Sequence, residues 1–192
     1  MYLFTGSLRS GQASVAAACE DLRRDFPAVV ARAVVVGVRL PGPVRRVDAR
    51  FGGRLNGYAM CLNHWLPFLP VPVILLNARW FAEGERLRER YRHDVATGYH
   101  PDCSCPVQYI MAHELAHYIY VRMKPEDRQK WEQAFEPGRP SGYSTTAEES
   151  FCEALAGSLN GLDGYHFAAA SALALAINAA PRAAVICGSG GT

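Results

Sequence analysis

Long apolar runs, clustered cationic residues and paired cysteine motifs are all missing from this chain, and each absence excludes something. The longest apolar stretch, "FAAASALALAINAAP", covers about 15 residues, short of the roughly 20 that a bilayer-spanning helix needs. No membrane association is expected from it. The N-terminus, "MYLFTGSLRSGQ", has no basic region leading into an apolar core, so it does not read as a secretory signal. A cytoplasmic setting is the expectation. Twenty Lys and Arg against 18 Asp and Glu leave a formal charge of +2, with both signs mixed along the chain. The short clusters "LRRDF" and "PVRRVDAR" read as solvated faces, and nucleic acid is not an expected partner.

The six cysteines are scattered, with no CxxC pair. Without a signal, they are expected as reduced thiols. "HPDCSC", with His100, Cys103 and Cys105, imitates a metal knuckle. One residue between the thiols departs from the two-to-four spacing of structural zinc sites, so an ordinary loop is the better reading.

What is present is enough for a core. The chain has 192 residues, 49% of them apolar, which fits one domain spanning 1–192. Residues of about 8–36 carry helical spacing, interrupted at Pro27. "VVVGVRL" at the end of that stretch is too short for periodicity to separate helix from strand. Between about 44 and 77, "GRLNGYAMCLNHW" and "VPVILLNARWF" are β-branched or aromatic and bounded by Gly, Asn and Pro. They predict two or three strands of a small, mostly antiparallel sheet. The proline-rich "LPFLPVP" connects them. "EGERLRERYRHDV" predicts a charge-laced helix, and "ATGYHPDCSCP" a loop. A helix is expected over about 107–123, another at "KPEDRQKWEQAF" with Pro125 at its start, and a third over about 146–160. The last is capped by Thr145 or Thr146, with Glu148 or Glu149 three residues on. A C-terminal Ala-rich helix covers about 166–179. The fold class is α+β, with a mainly helical C-terminal half.

Within the first of those helices stands "IMAHELAHYIY". Residues i and i+4 share a helix face, so His113 and His117 can direct their imidazoles to one point. Glu114 is offset, within reach of a water at an open coordination position. Two neutral nitrogen donors beside one carboxylate base suit hydrolysis at a Zn2+ site. The flanking Ile110, Met111, Leu115, Ala116, Ile119 and Tyr120 make the helix apolar nearly all round. Buried histidines and a glutamate need something to offset their desolvation, and a metal does so. A third ligand is expected from "YSTTAEESFCEALAG". Glu149 is favoured there, with Glu148, Glu153 and Cys152 as rivals. A second glutamate one turn away can accept the other N–H of a ligand histidine.

"HELAH" followed about 30 residues later by "EESFCEA" resembles the gluzincin metallopeptidases. "GYHPDCSCPVQYIMAHELAHYI" and "SGYSTTAEESFCEALAG" are similar to the HExxH domains of phage head-morphogenesis proteins and lethal-factor-like toxins, over roughly residues 57–160. The resemblance implies a zincin-like fold, with a small sheet packed on the zinc-binding helix. It also implies His113, His117 and Glu149 as zinc ligands, Glu114 as base, Glu153 behind the ligands and Tyr143 as a stabiliser. The chain departs from that pattern at Ala147, where the family has Asn, and is one residue short after Tyr143. A phage-particle or secreted-toxin setting is the alternative location.

The expected activity is zinc-dependent peptide hydrolysis on a protein or peptide substrate. Tyr143 is expected to hydrogen-bond the oxyanion. The strand Val73 to Asn77 is expected to leave an edge open for an extended substrate, with Asn77 holding the substrate backbone. For Asn77 a strand-ending turn role is equally open. Two further readings are carried: a partner-directed regulatory protease of a mobile element, and a non-catalytic zinc-stabilised module.

Overall fold

The computed structural model describes residues 2–4, 8–39, 57–164, 167–170 and 172–174. The chain is α+β. Strand β1 (Tyr2–Phe4) leads through a 3₁₀ turn at Arg9–Gly11 into helix α1 (Gln12–Asp25) and a short α2 (Pro27–Val30). Strand β2 (Val34–Val38) follows. After the undescribed 40–56 come β3 (Ala59–Cys61), α3 (Leu62–Trp65), β4 (Val73–Asn77) and α4 (Ala78–Phe81). Four longer helices complete the described chain: α5 (Gly84–Ala96), α6 (Pro106–Tyr120), α7 (Pro125–Ala134) and α8 (Ala147–Leu159).

The sheet has the order β1-β2-β4-β3. It is mixed, not mostly antiparallel: β1 pairs with β2 and β2 with β4 in parallel, and β3 alone runs antiparallel, against β4. The expectation of a sheet confined to 44–77 fails because the stretch read as helix to residue 36 ends in a strand. Pro27 breaks the helix as expected. Beyond it, the β-branched run Val34, Val35, Val36 takes the extended form that such side chains favour. Helices α1 and α2 then serve as the crossover that parallel neighbours require. "LNHW", read as part of a strand, turns into α3 after three residues of β3. Expected strand residues 44–56, and the C-terminal helix beyond residue 174, lie outside the described residues. Residues 167–170 and 172–174 are helical.

The "LPFLPVP" connection is organised by Asn63. Its buried side chain donates to the carbonyls of Leu69 and Val71 and accepts the N–H of Val73 at 2.9 Å. This one amide satisfies loop backbone groups that would otherwise be orphaned.

The core lies between the sheet and α1, α6 and α8. Val35, Ile74 and Leu76 are fully buried from the strands, and Val15 and Leu22 from α1. Every residue of α6 from Tyr109 to Tyr120 is buried. Helix α6 is thus the central element, packed on α8, α1 and β3. Tyr109 and Phe151 are fully buried where α6 and α8 meet the core, each contributing about 1.5–3 kcal/mol by burial. Among the described residues no helix is long and apolar enough to cross a membrane.

A glycine fixes how closely the N-terminal turn meets α4. A Cβ on Gly11 would stand 1.6 Å from the Phe81 carbonyl oxygen. Gly11→Ala is therefore expected to destabilise the fold by roughly 1–3 kcal/mol, read as a lowered thermal midpoint. A variant as stable as the wild type would contradict this packing.

Candidate metal centre

Helix α6 begins with Pro106 at its first position, where a missing N–H costs nothing. Helix α8 begins at Thr146, whose side-chain oxygen accepts the Glu149 N–H at 3.1 Å. That cap, anticipated in the sequence, sets the helical phase from which Glu148, Glu149 and Glu153 project toward α6.

The three glutamates divide their tasks. Glu153 Oε1 meets His113 Nδ1 at 2.9 Å, and Glu148 Oε1 meets His117 Nδ1 at 2.8 Å. In a neutral ring each carboxylate favours the proton on Nδ1, which turns the Nε2 lone pair toward the space between the helices. Both Nε2 atoms face Glu149. Its Oε2 lies 3.2 Å from Nε2 of His113 and 3.7 Å from Nε2 of His117. This oxygen is buried and receives no hydrogen bond. With both rings neutral, two lone pairs and a carboxylate oxygen would face one another here, a contact that a proton on Nε2 or a bound cation relieves.

The surrounding charge points the same way. Glu114, Glu148, Glu149 and Glu153 are buried or half-buried around the two rings. Burial alone would raise Glu153, but hydrogen bonds from His100 and His113 outweigh it and hold the carboxyl at about 2. Glu149 is likewise pushed up by burial and drawn further down by His113, to below its usual value. Burial would lower His113, yet the facing Glu149 and Glu153 carry it well above its usual value. Positive charge is favoured at this point, whether it arrives as a proton or as a metal ion.

Two further donor sets share these rings: the donor atoms of His113, His117 and Cys152, and those of His64, His117 and Glu148, lie within 4.8 Å of one another in each set. Burial, reinforced by Glu149 and Glu148, pushes the Cys152 thiol well above its usual range, whereas Glu149 is held below its own. A cation on the thiol set would have to displace the Cys152 proton.

Glu114 is 8% exposed. Burial raises its pKa, opposed chiefly by the two histidine rings. Glu114 and His113 line a cleft of about 600 Å³ together with Tyr143, His100, Tyr58 and Ala59. The Tyr143 ring stands edge-on to His113, centroids 5.4 Å apart. Burial first, then the Glu149 and Glu114 charges, push its phenol up. It keeps its proton at neutral pH and can donate a hydrogen bond into the cleft.

Asn77 does not join these residues. Its amide nitrogen donates to the Gly57 carbonyl at 3.0 Å, and its oxygen accepts the Arg79 N–H as the cap of α4. These contacts are those of the strand-ending turn role. The open edge expected at Val73 to Asn77 is corrected: β4 is paired on both sides, and among the described residues the sheet's edge beside the cleft is β3.

Three residues were not assigned here from sequence. His100 is buried, stacks on Tyr91 with ring planes 5° apart, and reaches Glu153 Oε2 at 3.2 Å. The Ser141 hydroxyl donates to the same oxygen at 2.5 Å. His64 Nδ1 shares Glu148 Oε1 with His117, at 2.8 Å. Glu148, weighed as a rival ligand, meets Nδ1 of both His117 and His64. Loop histidines and a serine carry no periodic signal, and nothing in spacing alone brings residues 64 and 148 together. Compared with protein-family models, with curated proteins and with solved structures, the chain matches none.

Glu153→Gln tests the electrostatic account. A carboxyl at about 2, below its usual 4.5, stabilises the fold above pH 4.5, and that stabilisation disappears as pH falls toward 2. The variant is expected to lose about 2–4 kcal/mol at neutral pH. Its urea midpoint should also vary less than wild type between pH 4.5 and 2. Equal slopes in that window would refute the assignment.

Proposed function

We propose that the chain is a zinc-dependent peptide hydrolase with a zincin-like site, in which His113, His117 and Glu149 hold the metal. The observation that carries the reading is the buried Oε2 of Glu149, which has no geometric hydrogen bond and lies 3.2 and 3.7 Å from the Nε2 atoms of His113 and His117. Oxygen and imidazole nitrogen donors suit zinc, and the Nδ1 atoms are held by carboxylates in the manner that fixes ligand rings. Such an ion, when bound, acts as a Lewis acid on the scissile carbonyl and acidifies water.

The chain's own residues supply the rest. Glu114 accepts a proton from the attacking water as its oxygen bonds to the carbonyl carbon. It then delivers that proton to the nitrogen as the C–N bond breaks. The raised carboxyl of Glu114 suits a base that must also give the proton back. Tyr143 donates to the oxygen on which negative charge develops. Glu148 and Glu153 fix the tautomers of His117 and His113, and Ser141 and His100 fix Glu153. Among the described residues strand β3 is the sheet edge next to the cleft, so an extended peptide can add to it by main-chain pairing.

Retention of a carboxylate at Glu114, which no metal-binding role requires, favours catalysis over a purely structural zinc module. A partner-directed protease would use the same chemistry.

Metal analysis beside peptide hydrolysis tests the proposal. Wild type and Cys152→Ala are expected to hold about one zinc per chain, and Glu149→Ala to lose it. Glu114→Gln is expected to keep the metal and lose roughly 100- to 10,000-fold in kcat. A Glu114→Gln protein that cleaves at the wild-type rate would overturn the assignment. So would zinc lost from Cys152→Ala and kept by Glu149→Ala.

A further inference from the structure

The cleft that holds Glu114 and His113 has a second wall of different chemistry. Arg79, Trp80, Arg90, Asp94 and Tyr58 line it. Asp94 is almost fully buried, and its charge is already met. It accepts the Tyr58 hydroxyl at 2.5 Å on Oδ2 and pairs through Oδ1 with the Arg90 guanidinium at 3.0 Å. Tyr58 is therefore held as a neutral donor, and burial together with Asp94 pushes its phenol far up.

Arg90 is pinned by that pair while about half its side chain stays exposed, 47% against 3% for Asp94. Arg79 is placed by a different contact. Its guanidinium carbon stands 4.9 Å from the centre of the Trp80 ring. No carboxylate pairs with Arg79 among the described residues. Trp80 in turn meets the Tyr58 ring edge-on, centroids 5.9 Å apart. The wall thus holds two oriented guanidiniums on an aromatic backing. Its one acid is fully engaged.

A planar fork of N–H donors matches a carboxylate in two-point contact, and an aromatic face limits the entropy lost on binding. A cationic substrate group would meet Arg79 with no available acid to receive it.

We propose that the Arg79–Arg90 wall is a subsite for a carboxylate carried by the peptide substrate. The inference rests on the hydrolase reading for the word substrate, but the binding site itself does not require catalysis. Two sources supply that chemistry: an Asp or Glu side chain, and a free C-terminus.

The test uses fluorescent peptides of one length in four forms, with internal Glu or Gln and with a free or amidated C-terminus. Binding is measured by anisotropy on zinc-treated Glu114→Gln protein, and cleavage on wild type. Peptides with the recognised carboxylate are expected to bind roughly 10- to 100-fold more tightly than their neutral counterparts. Preference retained by amidated Glu peptides assigns the side chain, and preference confined to free acids assigns the C-terminus. Arg79→Ala should abolish most of the preference, Arg79→Lys should keep part of it, and Arg79→Glu should shift it toward Lys-bearing peptides. The thermal midpoints of these surface variants should stay within a few degrees of wild type.

Selective binding without cleavage by wild type would support the subsite and sink the hydrolase reading. Cleavage, or binding, indifferent to the carboxylate would sink the subsite alone. The same follows if Arg79→Ala keeps the full preference while folded.

Discussion

Everything in this molecule turns on the contact between two helices that carry like charge toward each other. Helix α8 brings three glutamates to the face of α6 that already holds Glu114. Packed in an apolar core, four carboxylates would repel and suffer desolvation. They are tolerated because each has a partner of opposite or dipolar character. Glu153 has two rings and a hydroxyl, Glu148 has two rings, and Glu114 has the nearby imidazoles. Glu149 stands against both Nε2 atoms, and its buried Oε2 is where a proton or a cation is favoured.

The fold exists to hold that contact still. Trp131 on α7 donates its indole N–H to the Ala147 carbonyl at 2.8 Å, and the Ser150 hydroxyl donates to the Arg139 carbonyl at the same distance. Phe151, behind the glutamates, meets Trp131 edge-on. From the other side, the sheet packs on α6 through β3. The loop holding His100 is bonded to the one preceding α8, through Gly142 and Tyr143 N–H groups on the Gly98 and Tyr99 carbonyls.

Much of the site was legible because helices publish their geometry in sequence. His113, Glu114 and His117 are spaced by one turn, Thr146 announces a helix start, and Glu149 and Glu153 repeat the one-turn spacing. The sheet was less legible. Val34 to Val38 is too short for periodicity to classify, and its partners, near residues 2–4 and 73–77, are chosen by tertiary contacts. Asn77 shows the same limit at one residue. An asparagine ending a strand suits a substrate contact or a cap equally well until the Gly57 carbonyl and the Arg79 N–H appear beside it. His64 and His100 reach the glutamate helix across 84 and 53 residues. Single loop residues leave no spacing by which such a meeting can be foreseen.

One helix supplying three acids with three separate duties has a further consequence. Successive residues on a helix are turned by about 100°, so a slip of α8 by one position would hand each duty to a different side chain. The connecting chain between the two helices tolerates changes of length far better than α8 tolerates any change of phase. What the architecture guards is an angle of rotation rather than a distance along the backbone.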